Sequence, residues 1–190
     1  MNRRQILKVT GLGIALPLFP LAFLDADART TPESIKEMQR RWRDFHPVGF
    51  EPVRAEPSLD RPLEEWRREL PKEAYRVLFE EDTERSYSSA LNDEKRPGLF
   101  VCQACNLPLF TSEMKYDSRT GWPSFFTTIP GHLATKTDFK LIWPRTEYHC
   151  VKCGGHQGHI FDDGPQPTGK RWCNNGLALR FIEMATETAG

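Results

Sequence analysis

Gly98-Leu99-Phe100-Val101-Cys102-Gln103-Ala104-Cys105-Asn106 is the stretch on which the reading of the fold turns. A short apolar run, suited to a buried strand, leads into two cysteines spaced by two residues and ends at a turn-forming asparagine. The pattern returns after 44 intervening residues as Cys150-Val151-Lys152-Cys153, followed by Gly154-Gly155. Each such knuckle places two thiolates on one side of a tight turn, and two knuckles together offer four sulfurs at tetrahedral angles. That is the donor set of a closed structural zinc site, with no open position for substrate. Two disulfides and a redox-active Cys-x-x-Cys pair are the alternatives. The duplication favours one structural zinc per chain, held by Cys102, Cys105, Cys150 and Cys153.

Working outward, the chain from Thr83 to Phe181 breaks into short apolar runs between turn signals. These are Gly98–Val101, Leu109-Phe110, Leu141-Ile142-Trp143 and Gly176–Ile182. In the last, Leu177, Leu179 and Phe181 alternate with Ala178 and Arg180, the signature of a strand with one buried face. Fifteen prolines and thirteen glycines favour a turn-rich, mainly β body over a helical bundle. Upstream, Leu63, Trp66, Leu70, Ala74 and Val77-Leu78 recur at helical spacing, with Pro71 predicted to split Leu63–Glu81 into two short helices. Thr31-Pro32 reads as a helix start for Glu33–Asp44, ending near His46-Pro47. Pro47, Pro52, Pro57 and Pro62 mark an extended linker. The expected organisation is a signal over 1–28, an extension and linker over 29–62, one domain over 63–183, and a frayed tail over 184–190.

The N-terminus is read as an export signal. Arg3, Arg4 and Lys8 precede a charge-free run of about sixteen residues, Val9 to Leu24, and Ala26-Asp27-Ala28 offers the small residues that a signal peptidase needs. Asn2-Arg3-Arg4-Gln5-Ile6-Leu7-Lys8 resembles a twin-arginine signal, which implies an exported, periplasmic protein delivered already folded. The other reading is an uncleaved anchor. The run is interrupted by Pro17 and Pro20 and falls short of the roughly 20 residues a spanning helix requires, so no stable membrane span is expected after cleavage. Lys+Arg and Asp+Glu are equal at 26 each, and cleavage would leave a chain near −1. Nothing in that balance provides a nucleic-acid footprint.

Cys173 stands apart from the paired cysteines, in Gly169-Lys170-Arg171-Trp172-Cys173-Asn174-Asn175. A lone cysteine is by default a small buried hydrophobe. Here Lys170 and Arg171 are expected to stabilise a thiolate and so lower its pKa. An unpaired thiol in an oxidising compartment is a liability unless reaction with an oxidant is its purpose. Gly154-Gly155-His156-Gln157-Gly158-His159 sets two histidines in a glycine-rich stretch, either of which could donate a proton near neutral pH. Further zinc ligation and simple turn polarity are the alternatives for them. Gly121-Trp122-Pro123-Ser124-Phe125-Phe126 is an aromatic cluster that, by itself, reads as core more readily than as pocket wall.

Taken together these segments resemble the B-type methionine sulfoxide reductases, the methionine-R-sulfoxide reductases. The matching pieces are Thr83-Glu84; Val101-Cys102-x-x-Cys105 with Leu109-Phe110; and the run to Gly121-Trp-Pro-Ser-Phe125. They continue with Arg145-Thr-Glu-x-His-Cys150-x-x-Cys153, His156-x-Gly-His159-x-Phe161-x-Asp163-Gly164-Pro165, and Arg171-Trp172-Cys173-x-Asn175. Order and spacing hold from Leu63 to Phe181. The resemblance implies two antiparallel sheets, a zinc site away from the active site, and reduction of methionine-R-sulfoxide, chiefly in proteins and peptides. It implies Cys173 as nucleophile, Trp122 as the ring against the substrate methyl, and His156 and His159 as the groups that bind or protonate the sulfoxide oxygen. Asp163, Arg171 and Asn175 would orient and polarise the site.

The chain departs from the family pattern at four places. Thr120 stands where many relatives carry a resolving cysteine, so a one-cysteine cycle with a thioredoxin-like or small-thiol reductant is expected. Trp172 replaces a commoner tyrosine, Gly176 a commoner serine, and Gln157 a commoner leucine. A monomer is expected. Competing readings are a zinc-ribbon binding module, which the charge balance disfavours, and a thiol-disulfide oxidoreductase, which would need a βαβ context that the sequence lacks.

Overall fold

A computed structural model describes residues 31–47, 49–139 and 144–184. The signal reading and the Leu141-Ile142-Trp143 run lie outside the described residues. No helix among the described residues is long and apolar enough to cross a membrane.

The helices follow their sequence signals. Thr31 accepts a hydrogen bond from the Ser34 amide and Pro32 occupies the first turn, starting α1 (Pro32–Arg40). The segment expected to continue as α-helix tightens instead into a 3-10 turn, Arg41–Phe45, which turns Trp42 and Phe45 into the core. Pro71 separates α2 (Leu63–Glu69) from α3 (Lys72–Glu80) as expected. Pro47 to Pro62 forms no helix or strand, yet it lies against the body: the Leu59 amide donates to the Lys152 carbonyl and the Lys152 ammonium donates to the Pro57 carbonyl.

The body is two antiparallel sheets, as expected. The smaller orders its strands β2-β1-β9, from β1 (Gly98–Cys102), β2 (Pro108–Thr111) and β9 (Leu179–Glu183). The larger runs β3-β4-β8-β7-β6-β5, from β3 (Lys115–Tyr116), β4 (Ser124–Phe125), β5 (Leu133–Asp138), β6 (Arg145–Cys150), β7 (His156–Phe161) and β8 (Arg171–Asn174). Between them sits an aromatic core. The rings of Phe110 (β2) and Phe125 (β4) stack at 3.9 Å and 6°, and Phe100 (β1) meets Phe125 edge-on at 5.1 Å. One strand expectation is corrected. Gly176–Ala178 is a 3-10 turn and the strand begins only at Leu179, so Leu177 faces solvent while Ala178 is buried. That turn carries the chain from one sheet to the other, and Cys173 therefore lies in a different strand and sheet from the alternating run that follows it.

Candidate active site

Three antiparallel pairings assemble the site. Cys173, central in β8, faces Ser124 across β4 and His159 across β7. His159 faces Glu147 across β6, and Arg145 on that strand faces Asp138 at the end of β5. Gly158 lets β7 and β8 meet closely: a Cβ there would come within 1.9 Å of the Cys173 carbonyl oxygen. The result is a small open cleft of about 120 Å³ lined by Trp122, Arg145, His159, Phe161, Cys173 and Asn175, among others.

The structure brings Cys173, Trp122, His159 and Asn175 onto this cleft. His156 lies behind His159, their rings 5.4 Å apart, fully within the sheet rather than on the lining. Asp163 and Arg171 form a two-pronged ion pair beside Cys173 (2.8 and 2.9 Å). The Gly121–Phe126 cluster divides: Phe125 is core and Trp122 is wall. Gly121 adopts a left-handed φ of +88° that closes the turn before Trp122, and a side chain there would strike Tyr87.

The electrostatics correct one expectation. Burial pushes the Cys173 thiol above its ordinary range; Arg171, and a hydrogen bond from Thr120, pull it back only in part. Arg171 is already paired with Asp163, and Lys170 is drawn away to Asp162. His159 is likewise held below the usual imidazole range by burial, against the opposing pull of Asp138, whose Oδ2 lies 2.8 Å from Nε2. Arg145 donates to the same Asp138 oxygen at 2.7 Å. His156 Nδ1 is 2.9 Å from Glu147 Oε1 but off the line of a hydrogen bond, and Lys136 sits 3.2 Å from that oxygen. Two buried carboxylates thus stand behind two histidines, each offset by a cation.

Asp138 and Glu147 were not singled out in the sequence. Asp138 sits outside any local motif, and only pairing across three strands joins it to His159. Glu147 lay within the Arg145-to-Cys153 motif but carried no separate signal. Glu84 and Gln157 stood in the motifs as a match and a departure, with no sign in the sequence of the contacts they make. The Glu84 backbone amide donates to Asn175 Oδ1 (3.1 Å), and its carbonyl accepts from Trp122 Nε1 (3.2 Å). Gln157, wholly buried, accepts from the Asn175 amide through its carbonyl (2.8 Å) and donates to Cys102 Sγ (3.5 Å).

The four paired cysteines converge at the far end of β7. Cys102 Sγ lies 3.6 Å from Cys153 Sγ, and Cys105 Sγ lies 3.5 Å from Cys150 Sγ. Those separations exclude disulfides, whose sulfurs bond at about 2.05 Å. They match the roughly 3.8 Å edge of a tetrahedron built from Zn–S bonds of about 2.3 Å, and all four sulfurs lie within 4.8 Å of one another. The donors fit one zinc ion. None of these cysteines lines the Cys173 cleft. The histidines are not part of this four-cysteine donor set.

A SelR domain matches residues 70–183. The chain belongs to that family, the B-type methionine sulfoxide reductases. It is 49% identical over 119 residues to the peptide methionine sulfoxide reductase MsrB of Hahella chejuensis, an alignment spanning 62% of this chain and 86% of the relative. It is 42% identical over 128 residues to the MsrB of Methanosarcina barkeri, covering 67% and 90%. The chloroplastic peptide methionine sulfoxide reductase B1 of Oryza sativa is 45% identical over 119 residues, which span 62% of this chain and 56% of the relative.

Proposed function

We propose that this protein reduces methionine-R-sulfoxide in peptides and proteins, with Cys173 as nucleophile. The observation that carries the reading is one thiol, free of the zinc set, opposite a carboxylate-backed histidine in a cleft walled by a tryptophan. A sulfoxide oxygen leaves only when it is protonated, and His159 stands across the strand pair from the thiol to supply that proton. The Cys173 thiolate attacks the sulfoxide sulfur as the S–O bond gains its proton. The protonated oxygen leaves as water while an S–S bond forms between Cys173 and the substrate. Water then attacks the Cys173 sulfur, that S–S bond breaks, methionine departs as the thioether, and Cys173 is left as a sulfenic acid. Trp122 packs against the substrate methyl and selects one epimer; Asn175 and Arg171 hold and polarise the reacting groups. Zinc supplies a cross-link between the sheets and takes no part in these steps.

The cycle closes without a second protein thiol. Thr120 occupies the loop beside Cys173, its hydroxyl 2.9 Å from that of Ser118, and the other four cysteines are committed to the metal set. Two thiols of a thioredoxin-like domain or a small-thiol pool then reduce the sulfenic acid, releasing water and their own disulfide. We further infer a monomer exported to the periplasm through the twin-arginine-like signal over 1–28, with the reductase domain over 63–183. The test is reduction of separated R and S epimers of a peptidyl methionine sulfoxide with dithiothreitol, wild type against Cys173→Ser. R-only turnover abolished by the substitution is expected. Turnover that survives it, or an intramolecular Cys173 disulfide found by mass spectrometry after reaction, would overturn the assignment or the one-cysteine cycle respectively.

A further inference from the structure

Glu84 is bonded to two residues that line the cleft, Trp122 and Asn175. Its carbonyl fixes the Trp122 indole N–H and its amide fixes the Asn175 side chain. Its carboxylate reaches 92 residues along the chain to Gly176 N (2.6 Å) and extends to Leu177 N (2.8 Å), one oxygen to each. The side chain is buried, at 6% exposure, and packs with Gly176 so closely that a Cβ there would lie 3.2 Å from Glu84 Oε1 and 2.0 Å from Ser89 Oγ. Any side chain at 176 would displace Ser89.

We propose that Glu84 is a positioning residue for the reduction, its carboxylate clamping the Asn175–Leu177 turn so that Asn175 and Trp122 keep a fixed gap over Cys173. The main-chain bonds to Trp122 and Asn175 survive any substitution at 84. What a substitution removes is the anchor on the turn itself. A charge-assisted bond to a backbone N–H is among the stronger kinds, and the Gly176 amide it satisfies is buried, where losing a partner is costly. When the turn relaxes, the backbone from Asn175 to Leu177 loses its carboxylate anchor, and the gap that sorts the methyl from the oxygen widens. This inference rests on the reading of Cys173, Trp122 and Asn175 given above.

The experiment compares wild type with Glu84→Ala, Glu84→Asp and Glu84→Gln on both epimers of a peptidyl methionine sulfoxide, with melting curves and the alkylation rate of Cys173. Glu84→Ala is expected to lose about ten-fold in kcat/KM for the R epimer, to turn over the S epimer detectably, and to leave Cys173 alkylation within two-fold of wild type. Aspartate retains the charge but falls one methylene short of spanning both amides, and should be intermediate. If Glu84→Ala does not fold, the Glu84→Gln comparison decides: glutamine can accept from only one of the two amides, so a smaller loss of the same kind is expected. A lowered melting temperature with kcat/KM and epimer preference unchanged would reduce Glu84 to a structural role and overturn the proposal. Absence of R-epimer turnover by the wild type would instead sink the reading of Cys173.

Discussion

Asp138 decides the protonation chemistry of the cleft. Burial lowers the His159 pKa, and the Asp138 carboxylate is the first of the influences that raise it. An imidazole below its usual range is mostly neutral at pH 7, so catalysis that needs imidazolium weakens as pH rises. Asp138→Asn removes the group that favours the proton and lowers the His159 pKa further. Because the Cys173 pKa lies above that of His159, thiolate and imidazolium coexist only as a minor form. Lowering the His159 pKa should therefore lower the kcat/KM plateau, about ten-fold or more at pH 7, and move the acid-side break to lower pH. A profile with its acid-side break unmoved would take His159 out of the proton transfer. Cys173 behaves oppositely: burial raises its pKa, so its thiolate fraction grows with pH. The two requirements together define a bell whose acid-side break follows His159 and whose alkaline break follows Cys173.

At the scale of elements, the zinc knuckles join ends that no strand pairing among the described residues brings together. Cys102 ends β1 in the smaller sheet and Cys150 ends β6 in the larger, and no strand pairing joins these two sheets. Apparent binding energies for structural zinc are on the order of 10 kcal/mol or more, comparable to the whole stability of a small domain, about 5–15 kcal/mol. Removal of the ion by a strong chelator under reducing conditions should thus abolish the cooperative melt, with one zinc per chain recovered by metal analysis. A chelated, reduced protein that melts as before would show the knuckles to be dispensable. Gln157 connects this bolt to the cleft, from Cys102 Sγ to the Asn175 amide, so disorder of the knuckle would be felt at the active turn.

Across the whole molecule, the N-terminal extension belongs to the folded body. Trp42 and Phe45 are 7% and 8% exposed and sit in the same core cluster as Phe100 and Phe110. Gln39 Nε2 donates to the Thr127 hydroxyl at 2.8 Å. Losing one buried large aromatic costs about 3–5 kcal/mol. A chain lacking residues 29–62 should unfold at markedly lower urea than one lacking only 1–28, with R-epimer reduction measured alongside. Equal midpoints would make the extension a tether after all.

The sequence by itself determined the local features. Pro71 breaks a helix wherever it falls, because it lacks an amide and clashes with the preceding turn. Paired Cys-x-x-Cys units carry their own geometry, and the run of motifs from Thr83 to Asn175 placed the chain in its family. Short apolar runs signalled a β body, since no helix fits in four residues. Only the tertiary structure decided the rest. That Gly176–Ala178 is a turn was hidden because the apolar alternation continues through it; packing against Glu84 and Ser89 overrides the pattern. The elevated Cys173 pKa was hidden because sequence shows the cations at 170 and 171 but not how deeply the thiol is buried. Asp138 and Glu147 gained their partners only through strand register, which joins residues far apart in the chain and is fixed by which face of each strand is buried.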